Sequence, residues 1–275
     1  MEGAVGLYAI SGSASGIGAA TRARLERAGH AVAGIDLHNA EIIADLSTPQ
    51  GRAAAVEAVL DRSQGHLDGL LTAAGVGPPF SAEKMVSINW FGTEALLRGL
   101  RVALANSRRG QVVAISSNST TTMPDLPADL IDACLALDEP LARSLANKHG
   151  DGNTYGASKT AVARYVRRHA PTADWAGSGI RLNAIAPGAT LTPLLQAGLD
   201  SEEYGPAIKA FPVPTGDFGD PDEIAAWIEH MLIGDGCRFM CGTLLFVDGG
   251  TDAMVRADAW PTSFAMPTGS QFGFD

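Results

Sequence analysis

A glycine-rich turn near the N-terminus limits the folds open to this chain more than any other feature. Residues 5–10 are apolar, residues 11–18 read SGSASGIG, and residues 19–25 follow with a helical pattern. Strand, tight turn and helix in this order predict the first unit of a βαβ crossover, in which N–H groups at the helix start can hold phosphate.

The spacing of the glycines assigns a task to each of them. Gly12 permits the tight turn, Gly16 lets the backbone approach a pyrophosphate, and Gly18 allows the helix to pack closely on the strand. The motif lacks the Gly-Lys-Ser/Thr ending of nucleotide hydrolases. A glycine-rich turn alone is also compatible with a purely structural turn.

Asp36 strengthens the dinucleotide interpretation, because it ends the next apolar run at 31–35, where a carboxylate can bond the adenosine ribose hydroxyls. The same carboxylate would repel a 2′-phosphate. The positions where a basic side chain could attract that phosphate hold Ser13, Ala14, Ser15, Leu37 and His38. The sequence therefore predicts NAD rather than NADP.

Apolar runs alternate with helical patterns along the whole chain. Strands are predicted near 5–11, 31–36, 68–74, 111–117, 180–186 and 243–248, with helices between them that include 49–62 and 87–107. This alternation predicts an α/β fold with a Rossmann-like doubly wound parallel sheet. The chain has 275 residues, of which 46% are hydrophobic and 18% are charged. This suffices to bury one substantial core, so residues 1–275 are predicted to form a single domain.

Tyr155 and Lys159 form the second informative motif. Four residues of separation place a phenol and an ammonium on one helix face. The positive charge favours the phenolate and is expected to lower the Tyr155 pKa from its usual value of about 10, which makes an acid/base centre. An exposed Tyr and Lys on an ordinary helix would show the same spacing.

These motifs, in this order, resemble the short-chain dehydrogenase/reductase family over about residues 5–251. The resemblance implies that Tyr155 is the catalytic acid/base and that Lys159 lowers its pKa and holds the nicotinamide ribose. It also implies that Ser117, with Ser116 as the alternative, bonds the substrate oxygen, and that Asn89 supports a proton-relay water.

The resemblance also implies a set of cofactor contacts beyond the tetrad. The matching positions are Gly12, Ser13, Ser15, Gly16, Ile17, Gly18, Asp36, Leu37, Asp45, Leu46, Ala74, Gly75, Tyr155, Lys159, Pro187, Gly188, Thr190 and Thr192. One departure is Ala73-Ala74-Gly75 in place of the family's usual Asn-Ala-Gly. Because the glycine is retained, we expect a looser segment there rather than lost activity.

A helical insertion is predicted at 118–153, before the helix of the catalytic tyrosine. Two short helices are expected at 128–137 and 140–146, with Asp138 as the cap of the second and Pro140 in its first turn. The enlarged segment resembles the 3α-hydroxysteroid dehydrogenase/carbonyl reductase branch of the family. That likeness implies NAD(H)-dependent interconversion of a secondary alcohol and a ketone on a bulky apolar substrate such as a hydroxysteroid.

Two other functions remain open from the sequence. One is an NAD-dependent dehydrogenase of a smaller alcohol, such as a terpene alcohol, diol or sugar derivative, and the other is a non-catalytic dinucleotide-binding protein. Residues 191–214 are the expected substrate lid, although their apolar side chains also suit core or interface. The tail, 253–275, is expected to be a strap packed on its own or a neighbouring subunit, with a substrate lid as the alternative.

Charge and cysteine content point to location and partners. A net charge of −10 argues against nucleic acid or an anionic membrane, and three scattered cysteines suit a reducing compartment. The N-terminus lacks a basic leader, so we expect a cytoplasmic protein with a small-molecule substrate and no metal. In the family that the chain resembles, the helix after the insertion commonly forms a subunit interface, so the resemblance implies a homodimer, with a tetramer as the alternative.

Overall fold

A parallel sheet of seven strands forms the centre of the computed structural model, which describes residues 5–107 and 109–261. The order across the sheet is β3-β2-β1-β4-β5-β6-β7. The strands are β1 (Leu7–Ser11), β2 (Ala31–Asp36), β3 (Ile42–Ile43), β4 (Gly69–Thr72), β5 (Gln111–Ile115), β6 (Arg181–Pro187) and β7 (Leu244–Val247).

Helices connect the strands and cover both faces of the sheet. They are α1 (Gly16–Arg27), α2 (Pro49–Ser63), α3 (Ala82–Val86), α4 (Thr93–Ala105), α5 (Ser119–Thr122), α6 (Ala128–Leu135), α7 (Glu139–His149), α8 (Asp151–His169), α9 (Pro193–Leu199), α10 (Gly205–Lys209), α11 (Pro221–Ile233) and α12 (Thr251–Arg256). Short 3₁₀ turns lie at Ala176–Ser178, Asp235–Phe239 and Ala257–Ala259.

The strand order confirms the predicted doubly wound fold. It reverses between β1 and β4, and ligands of such sheets bind at the carboxyl ends of the strands beside that reversal. The six predicted strands are all present. The sequence pattern did not reveal β3, because its two residues, Ile42 and Ile43, are too few to show a period.

Alternate residues of the central strands supply two buried cores. In β1, Ala9 belongs to a core shared with α2, α4 and α8, whereas Tyr8 and Ile10 belong to one shared with α1 and α11. A strand buried on both faces accounts for the uninterrupted apolar runs that predicted the sheet.

The glycine-rich turn is held by very close backbone packing. Gly12 has φ +72°, a conformation that glycine adopts without strain, and a Cβ placed on Gly18 would lie 2.1 Å from the Gly12 carbonyl oxygen. Helix α1 therefore begins directly against the turn that precedes it.

The two helices predicted ahead of the tyrosine helix are confirmed as α6 and α7. Asp138 caps α7, since its side chain accepts a hydrogen bond from Leu141 N at 3.0 Å, and Pro140 lies in the first turn. Helix α6 packs on α8 and α7 packs on α3. The Trp90 indole donates to the Cys134 carbonyl at 2.7 Å and ties α6 to the protein body.

The long helix predicted at 87–107 begins earlier, at Ala82, and contains a π-helical turn. Helix α3 continues through a π-helical turn, Ser87–Gly92, into α4. Such turns often mark functional sites, and this one carries Asn89.

Part of the C-terminal tail lies within the described residues. Arg256 pairs with Asp252 at 2.7 Å, and its guanidinium carbon lies 5.4 Å from the Phe246 ring centroid and 5.0 Å from that of Trp260. The described portion thus packs on its own subunit. The tail residues Phe264, Met266, Phe272 and Phe274 lie outside the described residues.

Across the described ranges, the helices are each too short or too polar to cross a bilayer.

Two glycine substitutions test the packing of the turn. Gly18→Ala should lower the free energy of unfolding by roughly 2 kcal/mol or more, because the new methyl group meets a backbone oxygen that cannot move aside cheaply. Gly152→Ala in α8 is the control. A Cβ there meets nothing within 4 Å, and better helix propensity should raise stability by a few tenths to about 1 kcal/mol. Urea unfolding measures both, and equal stabilities would contradict the prediction.

Candidate active site

A cavity of about 850 Å³ opens at the carboxyl ends of β1, β4, β5 and β6. Helices α9 and α10 and the segment after β5 supply its other walls. One end of the cavity meets the glycine-rich turn and Asp36, and the other is enclosed by apolar side chains. A single cleft thus joins the predicted dinucleotide site to a space for substrate.

Most of the predicted cofactor residues line this cavity. They are Gly12, Ser15, Gly16, Ile17, Gly18, Asp36, Leu37, Asp45, Leu46, Ala74, Gly75, Tyr155, Lys159, Pro187, Gly188, Thr190 and Thr192. Ser13 does not line it. Its hydroxyl instead lies 2.6 Å from the position that a Cβ on Gly34 would take, so the side chain faces β2.

The Asp36 carboxylate is fixed at the end of β2. Oδ2 accepts a hydrogen bond from Ala14 N at 3.0 Å, and Oδ1 accepts one from Leu37 N at 2.7 Å. The first of these bonds joins the carboxylate to the glycine-rich turn. The negative charge is therefore held beside the backbone that would surround a dinucleotide.

Two side chains stabilise the unusual Ala73-Ala74-Gly75 segment. Ser11 Oγ accepts from Ala74 N at 3.2 Å. Asn89 Oδ1 accepts from Val76 N at 2.8 Å, and its Nδ2 donates to the Val76 carbonyl at 2.9 Å. These contacts hold the backbone on both sides of Gly75. No local pattern in the sequence marks Ser11 for this role.

Gly75 lines the cavity where Lys159 and Asn89 approach its backbone closely. A Cβ on Gly75 would be 3.2 Å from Lys159 Nζ and 3.2 Å from Asn89 Oδ1. Asn89 itself does not line the cavity, and its Nδ2 also reaches Ser158 Oγ at 3.2 Å. Asn89 therefore lies behind the cavity wall, close to Gly75 and to Ser158 of helix α8.

Ser117 is oriented by its own backbone segment. Its hydroxyl oxygen accepts from Ser119 N at 3.1 Å and is hydrogen-bonded to the Tyr155 side chain. Because Ser119 N–H occupies one lone pair of the oxygen, the hydroxyl hydrogen is directed away from it, toward Tyr155. Ser116 donates instead to the Lys159 carbonyl at 2.9 Å.

The Lys159 ammonium is buried beneath the tyrosine ring. Nζ donates to the Ile115 carbonyl at 3.2 Å and lies 6.0 Å from the centroid of the Tyr155 ring. Burial disfavours the charged form and lowers the pKa of Lys159 to about 8.

Tyr155 differs from the expectation of a lowered pKa. Burial raises its pKa above the usual value, and the hydrogen bond from Ser117 acts in the opposite direction. The ring packs among apolar groups, with its Cδ2 atom 3.6 Å from where a Cβ on Gly77 would be. Desolvation of the phenolate therefore outweighs the hydrogen bond that Ser117 donates.

The far end of the cavity is mostly apolar. Of the apolar side chains in the expected lid, Leu194, Leu195, Ile208 and Phe211 line it, whereas Leu199 does not. Sequence reasoning missed several further lining residues, among them Phe80, Thr122, Met123 and Tyr204. Nothing in their local pattern marks them, because Phe80, the adjacent pair Thr122 and Met123, and Tyr204 of the expected lid meet only in the folded chain.

Comparison with known proteins identifies the family. Over 262 residues the chain is 41% identical to a 3-alpha-hydroxysteroid dehydrogenase/carbonyl reductase of Comamonas testosteroni, covering 94% of this chain and 99% of that protein. The chain belongs to the short-chain dehydrogenase/reductase family. A family model described as Enoyl-(Acyl carrier protein) reductase matches residues 141–252. A D-threitol dehydrogenase of Mycolicibacterium smegmatis is 30% identical over 91% of this chain and 93% of its own length.

Solved structures place this short-chain dehydrogenase/reductase close to the same branch. The crystal structure of a 3-alpha-hydroxysteroid dehydrogenase from Pseudomonas sp. B-0831 complexed with NADH matches with a TM-score of 0.88 and 46% identity. The match covers 94% of this chain and 100% of the Pseudomonas chain. The predictions of the family, of its hydroxysteroid dehydrogenase/carbonyl reductase branch and of an oxidoreductase are confirmed.

Within residues 5–107 and 109–261 of this family member, no group of three or more His, Cys, Asp or Glu side chains is placed to hold a metal ion. Cys134 and Cys237 are buried free thiols, and Cys241 is an exposed one.

Replacing Lys159 with Met should make stability less dependent on pH. Burial lowers the pKa of Lys159 from 10.5 to about 8. At pH values between these two pKa values the unfolded chain binds more protons than the folded protein, so the stability of the wild type rises with pH over this range. Relative to Lys159→Met, the wild type should gain roughly 2 kcal/mol between pH 7 and pH 10.

Urea unfolding of the ligand-free proteins at the two pH values measures this difference. Lys148→Met, at a side chain that is 64% exposed, controls for the loss of a lysine. A stability difference that stays constant with pH would show that the Lys159 ammonium is not desolvated.

Proposed function

We propose that this enzyme uses NAD(H) to interconvert a secondary alcohol and a ketone on a bulky apolar substrate such as a 3α-hydroxysteroid. The observation that carries this proposal is that Tyr155, Ser117 and Lys159 line the same cavity as the glycine-rich turn, Asp36 and the apolar side chains of α9 and α10. A proton-transfer group there meets both reactants.

The side chains divide the chemistry between them. In the oxidative direction the Tyr155 phenolate accepts the proton of the alcohol, while the Ser117 hydroxyl, oriented by Ser119 N, shifts its hydrogen bond from Tyr155 to the substrate oxygen. Lys159 stabilises the phenolate from below the ring, and Asn89 organises the segment beside it for return of the proton. A bound nicotinamide supplies the hydride acceptor at C4.

The cavity wall fits a dinucleotide. Backbone crowding leaves no room for side chains at Gly12 and Gly18, and a smooth wall of this kind lets pyrophosphate approach the start of α1. In this proposal Asp36 bonds the ribose, and Asp45 and Leu46 hold the adenine. Thr190 and Thr192 bind the nicotinamide carboxamide, and all five residues line the cavity.

We assign NAD over NADP on the electrostatics of the ribose end. The Asp36 carboxylate faces the cavity there. The neighbouring Arg22 is already paired with Glu41 at 2.5 Å, which itself accepts from Gly34 N at 3.0 Å. A 2′-phosphate would therefore meet a negative charge while Arg22 is engaged elsewhere. The similar structure from Pseudomonas sp. B-0831 is an NADH complex, which agrees with this assignment.

The apolar end of the cavity supports a large substrate rather than a small polar alcohol. Residues 191–214 act as the lid in this proposal. Leu191 N donates to the Gly219 carbonyl at 2.9 Å and Thr251 Oγ1 donates to the Pro212 carbonyl at 2.8 Å, so both ends of the segment are anchored. Helices α9 and α10 between these anchors place Leu194 and Ile208 over the cavity. One relative of high coverage is named a 3-alpha-hydroxysteroid dehydrogenase/carbonyl reductase and another a D-threitol dehydrogenase. The apolar wall favours a hydroxysteroid over a small polar alcohol as the substrate of this enzyme.

We propose a homodimer as the assembly. Helices α6 and α7 cover α8 and α3, so a second subunit cannot approach that face closely. Trp227 on α11 and Phe239 before β7 are 49% and 101% exposed, and exposed aromatic side chains of this kind favour an interface. One two-fold contact through this side gives a dimer.

We also propose that the enzyme is cytoplasmic. The support is the set of free thiols at Cys134, Cys237 and Cys241, which suits a reducing compartment. The net charge of −10 disfavours binding to nucleic acid or to an anionic membrane.

The reaction is tested with a panel of 3α-hydroxysteroids, terpene alcohols, diols and sugar alcohols, followed by NADH absorbance. Tyr155→Phe should reduce kcat on the best substrate roughly a thousandfold, because the ring still packs but cannot exchange a proton. NADH binding should persist. Tyr165→Phe removes a phenol from the same helix away from the cavity, and it serves as the control. Near wild-type turnover in the Tyr155→Phe variant would exclude the assigned role.

Cofactor choice is tested with Asp36→Ala. The wild type should show a much higher kcat/KM with NAD than with NADP, and the variant should reduce that ratio by about tenfold or more, because a like-charge repulsion is removed. Glu57→Ala, which removes a carboxylate from an exposed position on α2, should leave the ratio unchanged. Equal efficiency of the wild type with both cofactors would refute the assignment.

Light scattering at several concentrations tests the assembly. Two chains per particle are expected throughout, and Trp227→Glu should shift the mass toward one chain because a buried charge disfavours the contact. Val102→Glu on α4, where the side chain is 62% exposed, is the matched variant on the other face. Dissociation by the α4 variant alone, or a constant tetramer, would reject the proposal.

A further inference from the structure

The loop that joins β3 to α2 forms part of the wall at the adenine end of the cavity. Asp45 and Leu46 face the cavity directly. Asp45 Oδ1 accepts from Ser47 N at 2.9 Å and from Ser47 Oγ at 2.7 Å, which closes the turn. Because the loop lies outside the sheet, its carbonyl groups depend on turn and side-chain donors for their hydrogen bonds.

Arg52, in the first turn of α2, supplies such donors from beneath. Its Nε donates to the Leu46 carbonyl at 2.9 Å, and its Nη2 donates to the Ser47 carbonyl at 3.1 Å. The residue is only 7% exposed. One rigid guanidinium thus fixes two consecutive carbonyl groups of the loop.

The other side of the guanidinium binds the helical insertion. Nη1 and Nη2 of Arg52 reach the two Glu139 carboxylate oxygens at 2.8 and 2.6 Å, a bidentate pair. Glu139 is the first residue of α7, and it also accepts from Ser87 Oγ at 2.9 Å. The insertion is therefore connected to the adenine-side loop through one buried side chain.

A buried ion pair of this kind contributes little net stability, because desolvation offsets much of the attraction. Its effect is geometric, since the pair fixes where the guanidinium lies and so where the loop carbonyls lie. We propose that Arg52 and Glu139 are positioning residues for the dinucleotide, through which the insertion pre-forms the adenine-side loop. This inference rests on the proposed NAD(H) function.

Pre-formation matters for affinity because a loop that is already ordered loses less conformational entropy when ligand binds. The insertion then has a part in cofactor binding as well as in limiting subunit contacts. The loop held by Arg52 and Glu139 would contact only the adenine half of the dinucleotide, so ADP-ribose is a suitable probe.

The test is calorimetric binding of ADP-ribose to the full-length wild type and to Arg52→Met/Glu139→Leu. The double variant replaces the pair with apolar side chains, which usually preserves stability, but it removes both hydrogen bonds to the loop. We expect affinity for ADP-ribose to fall roughly tenfold or more. Urea unfolding should remain cooperative with a similar midpoint. Glu139→Gln alone, in contrast, should lower the free energy of unfolding, because it leaves the buried guanidinium without a counter-charge.

Glu83→Gln is the matched control within the insertion contacts. It breaks the 2.7 Å pair between Glu83 and Arg143 that joins α3 to α7, but it leaves the contacts of Arg52 intact. Its affinity for ADP-ribose should match that of the wild type. Hydrogen exchange of residues 44–48 in the ligand-free protein should quicken in the double variant and not in this control.

The outcomes separate the two proposals. A wild type that binds ADP-ribose together with a folded double variant that binds it equally well overturns the positioning role alone. An equal loss in Glu83→Gln also overturns it, because general loosening of the insertion would then suffice. A wild type that fails to bind ADP-ribose overturns the proposed dinucleotide function and, with it, this inference.

Discussion

Close contact between the backbone of the glycine-rich turn and its neighbours is the constraint around which the rest of the site is arranged. A Cβ on Gly12 would lie 2.7 Å from Ala74 N, and one on Gly18 would lie 2.1 Å from the Gly12 carbonyl. This contact fixes the first helix against two central strands at the reversal of strand order. The cavity lies at that point because the connections on its two sides leave in opposite directions.

Polar side chains then hold the strand ends at the positions that the chemistry needs. Ser11 and Asn89 bind the backbone of the segment after β4, and Ser119 N orients the Ser117 hydroxyl. Each of these groups acts on the backbone or on another side chain, so the residues that contact reactants are few. The acid/base chemistry of Tyr155 depends on a layer of hydrogen bonds that does not itself reach the substrate.

Sequence reasoning succeeded where the determinants are local. The glycine turn, the apolar strands, the Asp138 cap and the Tyr155–Lys159 spacing each express their structure within a few residues. It failed where segments meet from afar. The pairing of Arg52 with Glu139 spans 87 positions, and Tyr204 and Met123 meet at the cavity from unrelated segments. The Tyr155 pKa was misjudged for the same reason, since burial is a property of the folded chain and not of the motif.

The two edges of the sheet differ in their capacity to extend. Strand β3 at one edge has two residues, whereas β7 at the other has four. So short an edge offers few unpaired N–H and C=O groups to a foreign strand, which protects that side from edge-to-edge aggregation. A strand from a second copy of the protein can therefore extend the sheet on the β7 side alone. A sheet with one extendable edge closes after a single symmetric pairing and does not propagate into an open-ended fibre.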